Sequence, residues 1–136
     1  MQIPSGKGLR FVGSWELVPE ESSFEVTPSP KSATCVVRAQ KEGLNIAVDW
    51  VEPDGKTGRI EHDLVWDTPT LVLGLEHTLT AENDDTLATV VKKDDAVVAT
   101  SRRTVSRDGK RMEYVQTGVL PNKAEYKNVS KYRKAV

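Results

Sequence analysis

Hydrophobic and polar residues alternate along most of this chain. Near the amino terminus Leu9, Phe11, Trp15 and Leu17 share one parity, and residues 44–50 repeat the pattern. Successive side chains of a β-strand point to opposite faces, so a period of two predicts half-buried strands. No segment shows the period expected of an amphipathic helix.

Turn-forming residues separate the alternating segments. Pro53-Asp54-Gly55 and Asp108-Gly109 are examples, and such residues adopt the backbone angles that tight hairpins need. We predict strands at residues 9–18, 33–40, 44–52, 58–67, 71–80, 86–93, 96–106, 110–119 and 124–134. They fill more than half of the chain, which suits a sheet closed on itself, because closure uses every strand. The predicted fold class is therefore all-β, an antiparallel up-and-down meander barrel of about eight to ten strands.

The length fits one domain. At 136 residues the chain has the usual size of a single domain, so we expect one barrel over residues 1–136, with residues 1–7 as a flexible N-terminus. The one long link between strands, residues 19–32, contains three prolines that restrict its conformation. A turn of helix around Glu20–Phe24 is compatible with it.

Several classes of protein are excluded by simple counts. No apolar run approaches the ~18 residues of a membrane-spanning helix, so no integral membrane association is expected. The polar start, residues 1–8, is not a secretory signal. Cys35 is the only cysteine, which rules out an internal disulfide and suits a small buried side chain. We predict a cytoplasmic protein, as a monomer or homodimer.

The net charge of −1 hides an uneven distribution. Residues 1–101 carry 9 basic and 17 acidic side chains, a net of −8, whereas residues 102–136 carry 10 and 3, a net of +7. The basic segment is either a solvated outer face or a surface for an anionic partner. Nucleic acid is not expected, because base stacking needs exposed aromatic side chains beside the basic groups.

A short motif near the amino terminus resembles a known superfamily. Gly13 and Trp15 form a Gly-x-Trp motif in the first strand, and the chain ends on Lys131-Tyr132-Arg133-Lys134-Ala135. Together with the meander and the size, these features resemble the lipocalins and fatty-acid-binding proteins, the calycin barrels. The resemblance is greatest to small bacterial lipocalin-like domains of uncharacterised function. It implies that Trp15 plugs one end of the barrel and that Lys131 or Arg133 packs across it.

The resemblance also has departures. The link after the first strand is too short and too rich in proline for the helical lid of fatty-acid-binding proteins, and the carboxyl-terminal helix of classical lipocalins is missing. The Arg-x-Tyr motif that binds carboxylates in the former falls on Ser130-Lys131-Tyr132, where only the tyrosine is kept. Arg103 matches a second ligand-binding arginine of that family.

The more apolar parity of each strand should face the interior of the barrel. Besides aliphatic residues and the tryptophans Trp50 and Trp66, this set contains several polar ones. They are His62, His77, Arg103, Tyr114, Tyr126, Asn128 and Tyr132. Mostly apolar walls with a few hydrogen-bonding groups are typical of a ligand pocket.

Arg103 is the most informative of these residues. Arginine cannot lose its charge, so inside the barrel it requires an anion, either a protein carboxylate or the acid group of a ligand. The third alternative is that the parity of this strand is misassigned and Arg103 faces outward. Two histidines fall short of a metal site, which needs a third ligand. We therefore predict neither a metal nor a cofactor.

Three functions are compatible with this pattern. The first is binding of a small hydrophobic or amphipathic ligand, which can be acidic, inside the barrel. The second is a structural or interaction protein that uses a basic face formed by residues 102–134. The third, which the sequence favours least, is a small barrel enzyme of the isomerase, cyclase or decarboxylase type, with His62 or His77 as base and a tyrosine as acid.

Overall fold

A computed structural model describes residues 7–26 and 28–135 of the chain. Two short 3₁₀ helices, Leu9–Phe11 and Pro19–Glu21, precede and follow the first strand. The strands are β1 (Gly13–Leu17), β2 (Ser23–Phe24), β3 (Ser32–Gln40), β4 (Gly43–Val51), β5 (Thr57–Val65), β6 (Thr70–Val72), β7 (Leu75–Asn83), β8 (Thr86–Lys93), β9 (Ala96–Val105), β10 (Arg111–Val119) and β11 (Glu125–Lys134).

The strands form an almost closed antiparallel barrel. Their order is β5-β4-β3-β1-β11-β10-β9-β8-β7-β6, so β1 joins the two ends of the meander by pairing with both β3 and β11. The short β2 lies beside β11, off this path. The predicted all-β meander barrel is confirmed. No helix in the described part of the chain is long and apolar enough to cross a membrane.

The barrel has one seam, between β5 and the β6–β7 hairpin. The strands on its two sides meet at the bridge between Trp66 and Leu79, where the amide of Asp67 donates to the carbonyl of Leu79 over 2.8 Å. Trp66 itself packs beside Gly8, with the Lys7 ammonium 5.9 Å from its ring centroid. Of the N-terminus predicted to be flexible, residues 1–6 lie outside the described residues, and Lys7 contacts the barrel.

Three predicted strands differ from the structure. The segment predicted as a strand over 9–18 begins with the 3₁₀ helix Leu9–Phe11, and its strand is Gly13–Leu17. The segment predicted as one strand over 71–80 is the hairpin β6–β7, because Leu73 and Gly74 both have positive φ, 52° and 80°, and form its turn. Leu73 lies on the more apolar parity of the predicted strand, which places it inside the barrel, but it is 88% exposed. The same parity rule places Val97 inside, but it is 52% exposed, since it lies next to the β8–β9 turn, beyond a β-bulge at Val91 and Lys92.

Trp15 closes one end of the barrel. It is fully buried, and its indole nitrogen donates to the carbonyl of Phe11 over 2.9 Å. The Lys134 ammonium lies 4.5 Å from the Trp15 ring and donates to the carbonyl of Val12. Gly13 has φ +136°, and a Cβ there would lie 2.6 Å from the Lys134 nitrogen. The Gly-x-Trp spacing therefore leaves room for the lysine.

The basic residue that crosses Trp15 is thus Lys134, and the prediction of Lys131 or Arg133 was wrong. In the register of β1 and β11, Trp15 lies opposite Lys134, whereas Arg133 lies opposite Glu16 on the outer face. Arg133 pairs there with Glu16, and Lys131 pairs with Glu113. The alternation of a strand allows only one of two adjacent residues to face inward.

The oppositely charged parts of the chain pair with each other across the barrel surface. Arg102 binds both carboxylate oxygens of Glu82, at 2.7 and 2.9 Å, and Arg111 binds Glu21. Together with the pairs made by Lys131 and Arg133, these contacts place carboxylates beside much of the basic face at residues 102–134. Each exposed pair contributes little to stability, but together they weaken the local positive field.

The packed core lies at the Trp15 end of the barrel. The side chains that are at most 3% exposed include Phe11, Trp15, Leu44, Leu64, Leu79, Leu87, Val105 and Met112. On several strands the next inward residues, toward the other end, line a cavity instead. One end of the barrel therefore stabilises the fold and leaves the other end free for a site.

Two leucines on neighbouring strands test this division. Leu79→Ala, at 0% exposure, is expected to lower the free energy of unfolding by about 2–5 kcal/mol because it leaves a cavity in the core. Leu71→Ala, at 72% exposure, should change it by less than about 0.5 kcal/mol. Urea unfolding followed by circular dichroism measures both, and similar losses in the two variants would contradict the assignment of the core.

Candidate ligand-binding site

The open end of the barrel contains a cavity of about 510 Å³. Its walls are mostly aliphatic and aromatic, with a small number of polar side chains among them. The lining residues are Leu17, Phe24, Pro28, Pro30, Ala33, Ile46, Val48, Trp50, Glu52, Ile60, His62, Leu64, His77, Thr89, Val91, Ala99, Thr100, Ser101, Arg103, Tyr114, Gln116, Ser130 and Tyr132. Both the size and the composition fit a small-molecule pocket.

Arg103 stands in this cavity without a protein anion. In the sheet register it lies opposite Tyr114 on β10, which in turn lies opposite Ser130 on β11. Its guanidinium carbon is 4.1 Å from the centroid of the Tyr114 ring. Within residues 7–26 and 28–135 its guanidinium makes no ion pair and no hydrogen bond. The carboxylate of Glu82 binds the adjacent Arg102 on the outer face instead.

Tyr132 is one of the deeply buried polar groups of the site, at 6% exposure. Burial raises the pKa of its phenol far above the ordinary value, and the neighbouring Cys35 adds to this effect. The hydroxyl therefore keeps its proton and can donate to an acceptor. Burial also raises the pKa of Cys35, so this thiol remains protonated and is not an activated nucleophile.

His62 and His77 face each other across the seam. Their ring centroids are 5.1 Å apart and the ring planes are nearly perpendicular, at 88°. Burial lowers the pKa of both imidazoles, and the nearby charges of His77 and Arg103 lower that of His62 further. Both rings are therefore neutral near pH 7. In the described part of the chain no three His, Cys, Asp or Glu side chains are grouped as a metal site would require.

Six of the predicted ligand-binding residues line one cavity. They are Trp50, His62, His77, Arg103, Tyr114 and Tyr132. Two others lie elsewhere: Trp66 follows the end of β5 and packs near the closed end, and Tyr126 lies across Gly118, where a Cβ would be 2.6 Å from its hydroxyl. Asn128, which parity also placed inside, accepts a hydrogen bond from the amide of Glu25.

Sequence reasoning missed part of the wall. Thr89 and Val91 of β8 line the cavity, and the alternation of Leu87, Thr89 and Val91 would have identified them. Phe24, Pro28 and Pro30 of the long link also contribute. No period could reveal these, because an irregular segment carries no alternation.

Comparisons with known proteins identify the fold. No family model matches the sequence, and no curated protein matches it significantly. Among solved structures, a Schistosoma mansoni fatty acid binding protein in complex with arachidonic acid matches with a TM-score of 0.62 and 10% identity, over 96% of this chain and 99% of that one. A zebrafish ileal bile acid-binding protein complexed with cholic acid matches with a TM-score of 0.56 and 11% identity, over 93% and 99%.

A third structure, the siderocalin Ex-FABP, matches with a TM-score of 0.46 and 12% identity, over 93% of this chain and 74% of that one. The first two matches cover nearly the whole of both chains. This chain therefore has the fold of the fatty-acid-binding proteins, which confirms the predicted resemblance at the level of fold. No α-helix occurs in its described residues.

The histidine pair gives a pH-dependent prediction. His62 and His77 are the only histidines, and an NMR titration should show both midpoints below about 6.5. His77→Gln should raise the midpoint of His62 by removing a neighbouring charge. Because the folded pKa values are depressed, the unfolded chain binds more protons below about pH 6.5, so the free energy of unfolding should decrease as the pH falls through that range. Ordinary midpoints would contradict the burial of the pair.

Proposed function

We propose that this protein binds a small amphipathic molecule carrying an acid group inside its barrel. One observation carries the proposal: Arg103 lines an apolar cavity, and no carboxylate of the described residues lies within ion-pair distance of it. Arg103 is half-buried, and a charged group that loses part of its hydration without gaining an anion is destabilised. The acid group of a ligand would supply the missing partner.

The neighbours of Arg103 support the same ligand class. Tyr114, Ser130 and Tyr132 line the cavity on the adjacent strands β10 and β11. A carboxylate beside Arg103 would have the hydroxyls of these residues as further donors, and charge-assisted hydrogen bonds are the strong ones. The aliphatic and aromatic walls would hold the apolar body of the ligand.

The solved structures add support of a general kind. The Schistosoma mansoni and zebrafish proteins are described in complex with arachidonic acid and cholic acid, which are both acids with large apolar bodies. At 10 and 11% identity the likeness concerns the fold, so the ligand class rests on Arg103 and the cavity of this chain. Its one buried cysteine, Cys35, is free, which supports a carrier in the reducing cytoplasm.

Two adjacent arginines on β9 provide a test with a matched control. Arg103→Gln should weaken the binding of an 18-carbon fatty acid at least about tenfold, because it removes a charge-assisted contact. Arg102→Gln changes the next residue, which lies on the outer face and binds Glu82, and should leave binding unchanged. Isothermal titration calorimetry measures both variants. Equal affinity in Arg103→Gln and the wild type, or no binding by the wild type, would refute the proposal.

The same variant separates a binding role from a structural one. If Arg103 serves a ligand, Arg103→Gln should leave the free energy of unfolding of the ligand-free protein unchanged or raise it, because an unpaired charge leaves the cavity. If Arg103 had a structural role, Arg103→Gln would lower the free energy of unfolding of the ligand-free protein. Urea unfolding of ligand-free protein gives the answer, and a large loss of stability would assign Arg103 to the fold.

A further inference from the structure

A second row of polar side chains crosses the cavity beside the Arg103 row. Thr89 on β8 lies opposite Ser101 on β9, and Ser101 lies opposite Gln116 on β10. All three residues line the cavity. Because alternate residues of a strand share a face, this row and the row of Arg103 and Tyr114 belong to the same inner wall.

The row is unusual because nothing in the barrel requires it to be polar. Thr89 is 6% exposed, and its hydroxyl is buried with no hydrogen-bond partner in the described residues. Its inward neighbours on β8 are Leu87 and Val91. A valine in place of Thr89 would have nearly the same shape and would avoid the free-energy cost of an unpaired buried hydroxyl.

Ser101 and Gln116 are half-buried, and their side chains also lack a protein partner among the described residues. No hydrogen bond of either side chain is found in residues 7–26 and 28–135, whereas the neighbouring outer-face pair, Thr100 and Thr117, bond to each other at 2.9 Å. A row that held the barrel together would be expected to bond internally in the same way. The polar atoms of Ser101 and Gln116 can therefore bond to something that enters the cavity, and the Thr89 hydroxyl lies beside them without a partner in the described part of the chain.

Building on the proposed function, we propose that the ligand carries a hydroxyl group on its apolar body in addition to its acid group, and that Thr89, Ser101 and Gln116 bind that hydroxyl. A hydroxyl both donates and accepts, which matches two side-chain hydroxyls and an amide. The Thr89 hydroxyl is buried in the structure, so binding requires a rotation about its Cα–Cβ bond that turns the hydroxyl toward the cavity. The ligand class is thus a hydroxylated amphipathic acid.

The register also indicates where the hydroxyl lies. Ser101 and Arg103 are two residues apart on β9, which is about 7 Å along a strand. The two polar groups of the ligand are therefore several bonds apart, with the hydroxyl nearer to the mouth of the cavity. An acid with its only hydroxyl beside the carboxyl would not span the two rows.

The test compares octadecanoic acid with a series of monohydroxy octadecanoic acids that differ in the position of the hydroxyl. Isothermal titration calorimetry on the wild type should show at least about tenfold tighter binding for one or more positions beyond the first carbons of the chain, because a site built for a hydroxyl discriminates against its absence. Binding that is equal across the whole series would overturn the inference.

Variants test whether the polar row of Thr89, Ser101 and Gln116 causes the preference for a hydroxylated acid. Thr89→Val and Gln116→Leu, which keep the approximate shape, should remove most of the preference, measured as the ratio of the affinities for the hydroxylated and the plain acid. Thr104→Val, on the exposed outer face of β9, is the matched control and should keep the preference. A preference that survives the double variant Thr89→Val and Gln116→Leu would place the hydroxyl elsewhere and overturn the assignment.

The binding measurements distinguish a failure of the hydroxyl row from a failure of the acid site at Arg103. Arg103→Gln should weaken the hydroxylated and the plain acid by the same factor, which leaves the preference intact. If the wild type binds the plain acid and shows no preference, the acid site stands and the hydroxyl row fails. If it binds neither class of acid, the proposed function itself fails.

Discussion

The barrel depends on the pairing of its first and last strands over Trp15. β1 is the only strand of the described chain that pairs with both β3 and β11, so without it the meander would be an open sheet with long free edges. Trp15 lies on β1 and fills the space that closure creates, and Lys134 of β11 covers its ring. A single contact region thus joins the two ends of the chain and forms the core.

Because the core is concentrated at the Trp15 end, the interior of the barrel at its other end is left partly unfilled. Large apolar side chains pack around Trp15, while the inner face nearer the mouth carries smaller or polar residues such as Ser101 and Thr89. These leave about 510 Å³ unfilled. Arg103 stands next to the boundary, one inward position from the core residue Val105 on the same strand. The boundary is therefore where an apolar ligand would end and its charged group would be held.

Much of the fold and part of the site could be predicted from the sequence. Period-two alternation identified the strands and the all-β class because each half-buried strand repeats the same burial constraint. Parity also placed Arg103, Tyr114 and Tyr132 on the inner face. It failed at Leu73 and Val97, which sit at or beside turns, since alternation holds only while the backbone stays extended. It also missed Phe24 and the proline link, where there is no alternation.

The sequence by itself determined the strands, their turns and which side chains face inward, because these follow from local backbone geometry. Only the tertiary structure decided which inward residues meet. It placed Lys134 rather than Lys131 or Arg133 on Trp15, because the register between β1 and β11 is a property of two distant segments. It likewise left Arg103 without a carboxylate from the described residues while Glu82 pairs with Arg102, since the meeting of these charges depends on the combined register of β7, β8 and β9.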